Sequence, residues 1–194
     1  MDVNGPLKSL STERIEELVE DVQAGHAEPY RAIVQHYQRR LHLYCYHMIG
    51  NQAESEDVVQ EVFMKAYREI GKYRPTVSFT AWLYKIAQRH CLNVIRQNSG
   101  QQRLLSLLKL QWLSPPPPGT VESANDLLNG LSAEERQLVI LRVIEERSFS
   151  EIEEIIGVSA ATLRKKIERI RKKLNQKSNR EVILDDGKNL YPEL

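Results

Sequence analysis

Apolar residues recur at intervals of three and four along nearly the whole chain, and no alternating run is long enough to argue for a sheet. This periodicity predicts an all-α protein with negligible strand content, because a 3.6-residue repeat gathers apolar side chains on one helical face. At 194 residues the chain suits either one domain or two small ones. The run Pro115-Pro116-Pro117-Pro118 favours two, since it makes an extended, semi-rigid spacer. The predicted organisation is a first helical domain over 1–98, a linker over 99–130, a second helical domain over 131–177 and a frayed tail over 178–194.

Four helices are predicted in the first domain. One runs from Ser11 to Gly25 and buries Ile15, Leu18, Val19 and Val22. The next follows Pro29, buries Ile33, Val34, Tyr37, Leu41, Tyr44, Cys45, Met48 and Ile49, and stops at Gly50-Asn51. A third, from about Glu54 to Ile70, buries Val58, Val59, Val62, Phe63, Ala66 and Ile70. Its opposite stripe carries Asp57, Glu61, Lys65 and Glu69 at four-residue steps. Pro75 separates it from a fourth helix, capped by Ser78 or Thr80 and running to about Gln97, with Leu83, Ile86, Ala87, His90 and Val94 buried. Another stripe of that helix aligns Trp82, Lys85, Arg89, Asn93 and Arg96. Cations beside an aromatic ring are what single-stranded nucleic acid binding uses.

In the linker, Leu104 to Leu113 is too apolar to stay free in water; it extends the fourth helix, docks on the first domain or forms a contact site. Ser132 with Glu135 fits a capping box opening a helix through Leu138, Leu141 and Ile144, and Ser150 with Glu153 fits a second. Gly157 ends the helix after Ser150, Val158 plugs the turn, and Ser159 caps a densely basic helix. That helix places Leu163, Ile167, Ile170 and Leu174 on one stripe and Arg164, Lys165, Lys166, Arg169, Arg171, Lys172 and Lys173 on the rest. Two short helices across a Gly turn, the second basic, read as a helix-turn-helix.

The formal net charge is only +1, so the basic helix is a local asymmetry. Its counterweight lies in Glu13, Glu16, Glu17, Glu20 and Asp21 and in Glu54, Glu56, Asp57 and Glu61, which suggests nucleic acid at one end and another partner at the acidic faces. The apolar stretch from Leu138 to Ile144 is too short for a bilayer and holds Arg142, and the Met1-Asp2 start lacks a signal peptide. A cytoplasmic protein without membrane insertion is expected. Cys45 and Cys91 belong to no CxxC pair and read as buried free thiols.

Taken in order, these motifs resemble the extracytoplasmic-function (group 4) sigma factors of the sigma-70 family, over roughly Glu16 to Leu174. The resemblance is carried by Gln23 to Tyr30, by Ser55-Glu-Asp-Val-Val-Gln-Glu-Val-Phe63, by Phe79-Thr-Ala-Trp-Leu-Tyr-Lys-Ile-Ala87, by Leu131 to Arg136 and by the helix-turn-helix. It implies a subunit that binds core RNA polymerase, directs it to promoter DNA and answers to an anti-sigma partner, with no catalysis, cofactor or metal of its own. Glu56, Asp57, Gln60 and Glu61 would face a basic coiled-coil clamp on the polymerase core, with Phe63 in the core of the domain. Tyr73, Ser78, Thr80, Trp82, Lys85, Arg89, Asn93 and Arg96 would take the melted downstream element, offsetting the cost of unstacking. Ser159, Ala160, Thr162, Arg164, Lys165, Lys166 and Arg169 would meet the duplex upstream element, the earlier positions reading bases and Arg169 nearer phosphate. Three residues depart from the family pattern: Glu153 replaces a small residue, Arg89 an Asn and Asn93 an Asp.

Two other classes compete. His42, Cys45 and His47, with His36 before them, suggest a metal enzyme, but His47 points away from His42 and no acid completes the set. A stand-alone helix-turn-helix regulator would explain the basic helix, though not the acidic third helix or the Trp82 stripe.

Overall fold

Ser11 opens the first helix as its hydroxyl predicts, accepting the Arg14 N–H at 3.2 Å. In the computed structural model, backbone is described for residues 10–109, 128 and 130–186, and side chains for 10–99, 128 and 130–175. The first lobe holds α1 (Thr12–Gln23), α2 (Pro29–Ile49), α3 (Gln52–Glu69), a 3₁₀ turn at Ile70–Lys72, and α4 (Phe79–Lys109). Helix α2 ends where Gly50 turns left-handed at φ 82°, a conformation a side chain resists. The Asn51 side chain then caps α3 by accepting the Glu54 N–H at 3.1 Å. Ile33, Leu41, Tyr44, Cys45 and Met48 of α2 are fully buried, as are Val62 and Ala66 of α3 and Phe79, Leu83, Tyr84 and Ala87 of α4. Each large apolar side chain among them contributes roughly 1.5–3 kcal/mol on burial.

The second lobe follows with α5 (Ala133–Val139), a π-helical turn (Ile140–Ile144), α6 (Phe149–Ile156) and α7 (Ala160–Asp186). Ser132 and Glu135 form the expected reciprocal cap. The second capping box is displaced by two residues: Ser148 and Glu151 form it, and α6 starts at Phe149. Gly157 ends α6 at φ 76°, with its N–H donating to Glu153 O at 2.8 Å.

Several expectations change. Helix α4 does not stop near Gln97 but continues past Gly100 to Lys109, so the first half of the apolar linker segment is helical backbone. Residues 110–113 and the proline run at 115–118 lie outside the described residues. Helix α7 continues through Asp186 where a frayed tail was expected from 178; residues 187–194 are outside the described set. His90 is half-buried and faces Glu61 rather than the core. Ile144 is 37% exposed because the π turn inserts extra residues and rotates the apolar phase away from the interior. Cys45 and Cys91 are buried free thiols, and each sits in a helix packed inside the first lobe.

The lobes share one continuous apolar core, and within their contact a group of polar side chains forms a seam. Tyr84 Oη donates to Glu145 Oε2 at 2.6 Å, Arg147 Nε donates to the same oxygen at 3.0 Å, and the Arg147 guanidinium lies 4.6 Å from the Tyr84 ring centroid. Nearby, Gln88 Nε2 donates to Gln137 Oε1 at 2.7 Å and Arg136 Nη1 to Met48 O at 2.7 Å. Four buried side-chain atoms lack a hydrogen-bond partner among the described residues. Three belong to the seam residues Gln137, Glu145 and Arg147, and the fourth is the hydroxyl of Tyr44, which stacks edge-on against Tyr84. Burial pushes the Glu145 carboxyl up. Burial also works against the Arg147 charge, but Tyr84 and Glu145 outweigh it and hold that guanidinium protonated.

Candidate nucleic-acid interface

Helix α3 divides cleanly. Val58, Val59, Val62, Phe63 and Ala66 are buried, whereas Glu56, Asp57, Gln60 and Glu61 are exposed on the opposite side. Gln52 Nε2 donates to Glu56 at 2.6 Å, and Glu61 pairs with His90 at 2.9 Å. Asp57 and Gln60 make no ion pair or side-chain hydrogen bond among the described residues, so the middle of this face is uncommitted.

The loop before α4 is organised by a residue that sequence reading noted only as part of an acidic run. Glu16 of α1 accepts the Phe79 N–H at 2.9 Å and the Tyr73 hydroxyl at 3.0 and 3.1 Å, which seats the start of α4 on α1. Gln23 Nε2 adds bonds to Ile70 O and Tyr73 O, at 2.7 and 3.0 Å. Tyr73 was expected to contact nucleic acid, but it is 3% exposed and its hydroxyl also donates to Val77 O. Burial and the neighbouring Glu16 carboxylate push that phenol up, so it stays neutral. Tyr73 is therefore the floor of the loop and not part of its surface. Thr80 is likewise turned inward, to the Tyr37 hydroxyl.

Trp82 is half-buried, with its ring 5.4 Å from both Tyr73 and Phe79. It is at once a wall of the core and an edge of the surface. From there Lys85, Arg89, Asn93 and Arg96 continue along α4, Lys85 half-buried and the other three exposed. Ser78 is partly covered: Glu154 of α6 accepts from its hydroxyl at 2.7 Å and from its N–H at 3.3 Å.

On the second lobe, the basic helix splits into two faces. Lys166 and Lys173 turn back to α5, to Glu134 at 3.8 Å and Glu135 at 2.9 Å, and Arg169 lines the same groove. Lys173 and the Ser132 cap hold the Glu135 carboxyl below its usual value. Ser159, Thr162, Arg164 and Lys165 are exposed at the start of α7, with Ser159 Oγ and Thr162 Oγ1 2.9 Å apart. Glu153, one of the departures from the family pattern, does not crowd the helix pair. Its carboxylate reaches across the turn and accepts the Ala160 N–H at 2.9 Å, an anion at a helix N-terminus.

The rival metal set is not assembled as a cluster among the described residues. His42 stands beside Gln52 and Glu56, Cys45 is fully buried, and His36 accepts the Leu10 N–H. Among the described residues, no helix is long and apolar enough to cross a membrane.

Comparison with known proteins follows the same division. The family model described as Sigma-70 region 2 matches residues 33–101, and that for Sigma-70, region 4 matches residues 121–174. The chain is similar to the ECF RNA polymerase sigma factor SigW of Bacillus subtilis, 28% identical over 178 residues that cover 84% of this chain and 95% of that protein. It is 30% identical to SigE of Mycolicibacterium smegmatis over 152 residues, covering 73% of this chain and 58% of that protein. Its fold is similar to that of RpoE from Bartonella quintana, solved with the anti-sigma factor NepR: TM-score 0.61, 19% identity, 77% of this chain and 96% of that one.

Proposed function

The chain belongs to the extracytoplasmic-function branch of the sigma-70 family, and from that premise we propose that it acts in the cytoplasm without catalysing a reaction itself, binding core RNA polymerase through α3 and promoter DNA through both lobes. Residues 1–98 serve core binding and promoter melting and 131–177 bind duplex DNA, and the 99–130 link between them begins as a continuation of α4. The observation that carries this reading is the uncommitted pair Asp57 and Gln60, flanked by Glu56 and Glu61, on a helix whose other face is fully used by the core. Folding leaves the outward Asp57 carboxylate and Gln60 amide unused, and a basic partner surface uses them. A stand-alone regulator would have no use for them.

Downstream, Lys85, Arg89, Asn93 and Arg96 follow the backbone of an unpaired strand while Trp82 offers a ring edge at its start. Ser78 takes part only after Glu154 leaves it, so capture of a base at this loop requires the lobes to part there. Tyr73 and Thr80 support the loop from within. Upstream, Ser159, Ala160, Thr162, Arg164 and Lys165 read the duplex, and Lys166 and Arg169 join them only where DNA phosphates compete with the α5 carboxylates. An anti-sigma factor, of the kind present with the Bartonella relative, would act by covering these same surfaces.

The test is charge reversal on α3. Asp57→Lys with Glu61→Lys is expected to lower affinity for core polymerase by about tenfold or more, with an unchanged circular dichroism spectrum. Unchanged core affinity removes the assignment of this face.

A further inference from the structure

Two arginines of the second lobe share one aromatic ring. The guanidinium carbons of Arg142, in the π turn, and Arg164, in the second turn of α7, each lie 5.1 Å from the centroid of Phe149, the first residue of α6. They line an open cleft of about 510 Å³ with Ser148, Phe149 and Ala160. Two like charges held at one ring disfavour each other, and an anion in the cleft that both line offsets that repulsion.

The rest of the site is arranged to leave them available. Arg142 spends one donor on Arg147 O, at 2.9 Å, and Arg164 makes no ion pair among the described residues. Two carboxylates also border the cleft. Glu151 is committed to the Ser148 N–H and hydroxyl, at 2.8 and 2.6 Å, and to Arg147; Glu146 is exposed at the rim, on a left-handed turn at φ 55°. Two other cations of α7 differ in that Lys166 and Lys173 pair with α5, whereas Lys165, Arg169, Arg171 and Lys172 make no ion pair among the described residues but lie away from this ring. Arg142 and Arg164 are therefore an uncommitted cationic pair beside the start of the duplex-reading helix.

We propose that Phe149 determines upstream-element specificity by seating both arginines, so that Arg142 takes a DNA backbone phosphate in the cleft while Arg164 is held at the correct reach for a base edge. This rests on the reading of α7 as the duplex-contacting helix. It adds two residues, one outside that helix and one at the start of its partner, and it makes positioning and reading a coupled device.

The experiment uses holoenzyme reconstituted from the full chain and core polymerase, binding duplexes with matched and mismatched upstream elements over a series of salt concentrations. Arg142→Gln is expected to reduce the slope of log affinity against log salt by about one, with base discrimination unchanged. Phe149→Leu is expected to lower discrimination at the pair read by Arg164 by about tenfold, and Phe149→Tyr to retain it. Combined with Arg164→Gln, Phe149→Leu should cost little more than Arg164→Gln alone. Discrimination intact in Phe149→Leu, or an unchanged slope in Arg142→Gln, overturns the proposal. Should Phe149→Leu disturb folding, the Arg142→Gln slope decides, since Arg142 is only partly buried. Unmodified holoenzyme that fails to discriminate any upstream sequence overturns the underlying reading of α7 instead, and is recognised by the wild-type control.

Discussion

Inside the first lobe, Ile33, Leu41, Met48, Val62 and Leu83 are fully buried and carry no side-chain polar atom in need of a partner; between the lobes, Tyr84, Gln88, Gln137, Glu145 and Arg147 meet as polar groups. The two kinds of contact respond differently to separation. Apolar burial is non-directional and is lost in proportion to the area returned to water. A buried polar network is satisfied in one geometry only, and its members recover hydrogen bonds from water when they part. Three seam residues already hold an unpartnered atom, so opening there loses less than opening a lobe. Buried apolar residues of both lobes still form one continuous cluster, so the polar seam is the more directional part of a joint that is also apolar.

The strongest challenge to this contrast is a cavity in the lobe. Leu41→Ala should cost about 2–5 kcal/mol, read as a lower melting temperature with loss of helical signal. A cost no larger than that of a seam variant would break the comparison.

A smaller effect is expected from Tyr84→Phe, which keeps the ring under Arg147 but removes the hydroxyl that donates to Glu145. The loss of about 1–3 kcal/mol should appear as a longer distance between fluorophores on α2 and α7, with helical content unchanged. Helix loss in step with the distance change would show that the seam belongs to the lobe core.

Local signals were the legible part of this structure. The stops at Gly50 and Gly157, the cap at Ser132 and the buried stripes of α1 and α3 depend on residues three or four apart, and a sequence displays them. The second cap is ambiguous in sequence because Ser148 with Glu151 and Ser150 with Glu153 have the same spacing; in the fold Ser148 and Glu151 form it, with Ile152 and Ile155 buried. The burial of Tyr73 has no local signal, because its partner Glu16 is 57 positions away. Tyr84 and Glu145, 61 apart, leave no local trace of the seam either. The candidate site was legible where one helix carries it, as with Asp57 and Gln60 or Arg89 and Arg96. It was hidden where elements converge, as with Phe149 between Arg142 and Arg164.

The smallest expected effect separates seam from lobe by sign. Burial raises the Glu145 carboxyl above 4.5, so between 4.5 and its raised value the closed seam holds a proton that the opened, hydrated carboxyl releases. Closure is then weakened as pH rises through that window and strengthened as pH falls from neutral. The capping carboxylates of the second lobe behave in the opposite sense. Lys173 and Ser132 lower Glu135; burial pulls Glu151 upward, but the Ser148 cap and Arg147 outweigh it and lower it too. Their contribution is complete above 4.5 and is lost as pH falls through the lowered values. His36, pushed down by burial and by Arg40 and Arg147, opposes closure when it charges, so the Glu145 phase must be isolated by substitution. On titrating downward from pH 7, the distance between α2 and α7 should first shorten and helical signal should fall only afterwards. Glu145→Gln should abolish the first phase and leave the second. A distance that lengthens before helix is lost, or a first phase that survives in Glu145→Gln, would mean that the joint is governed by the same groups as the lobes.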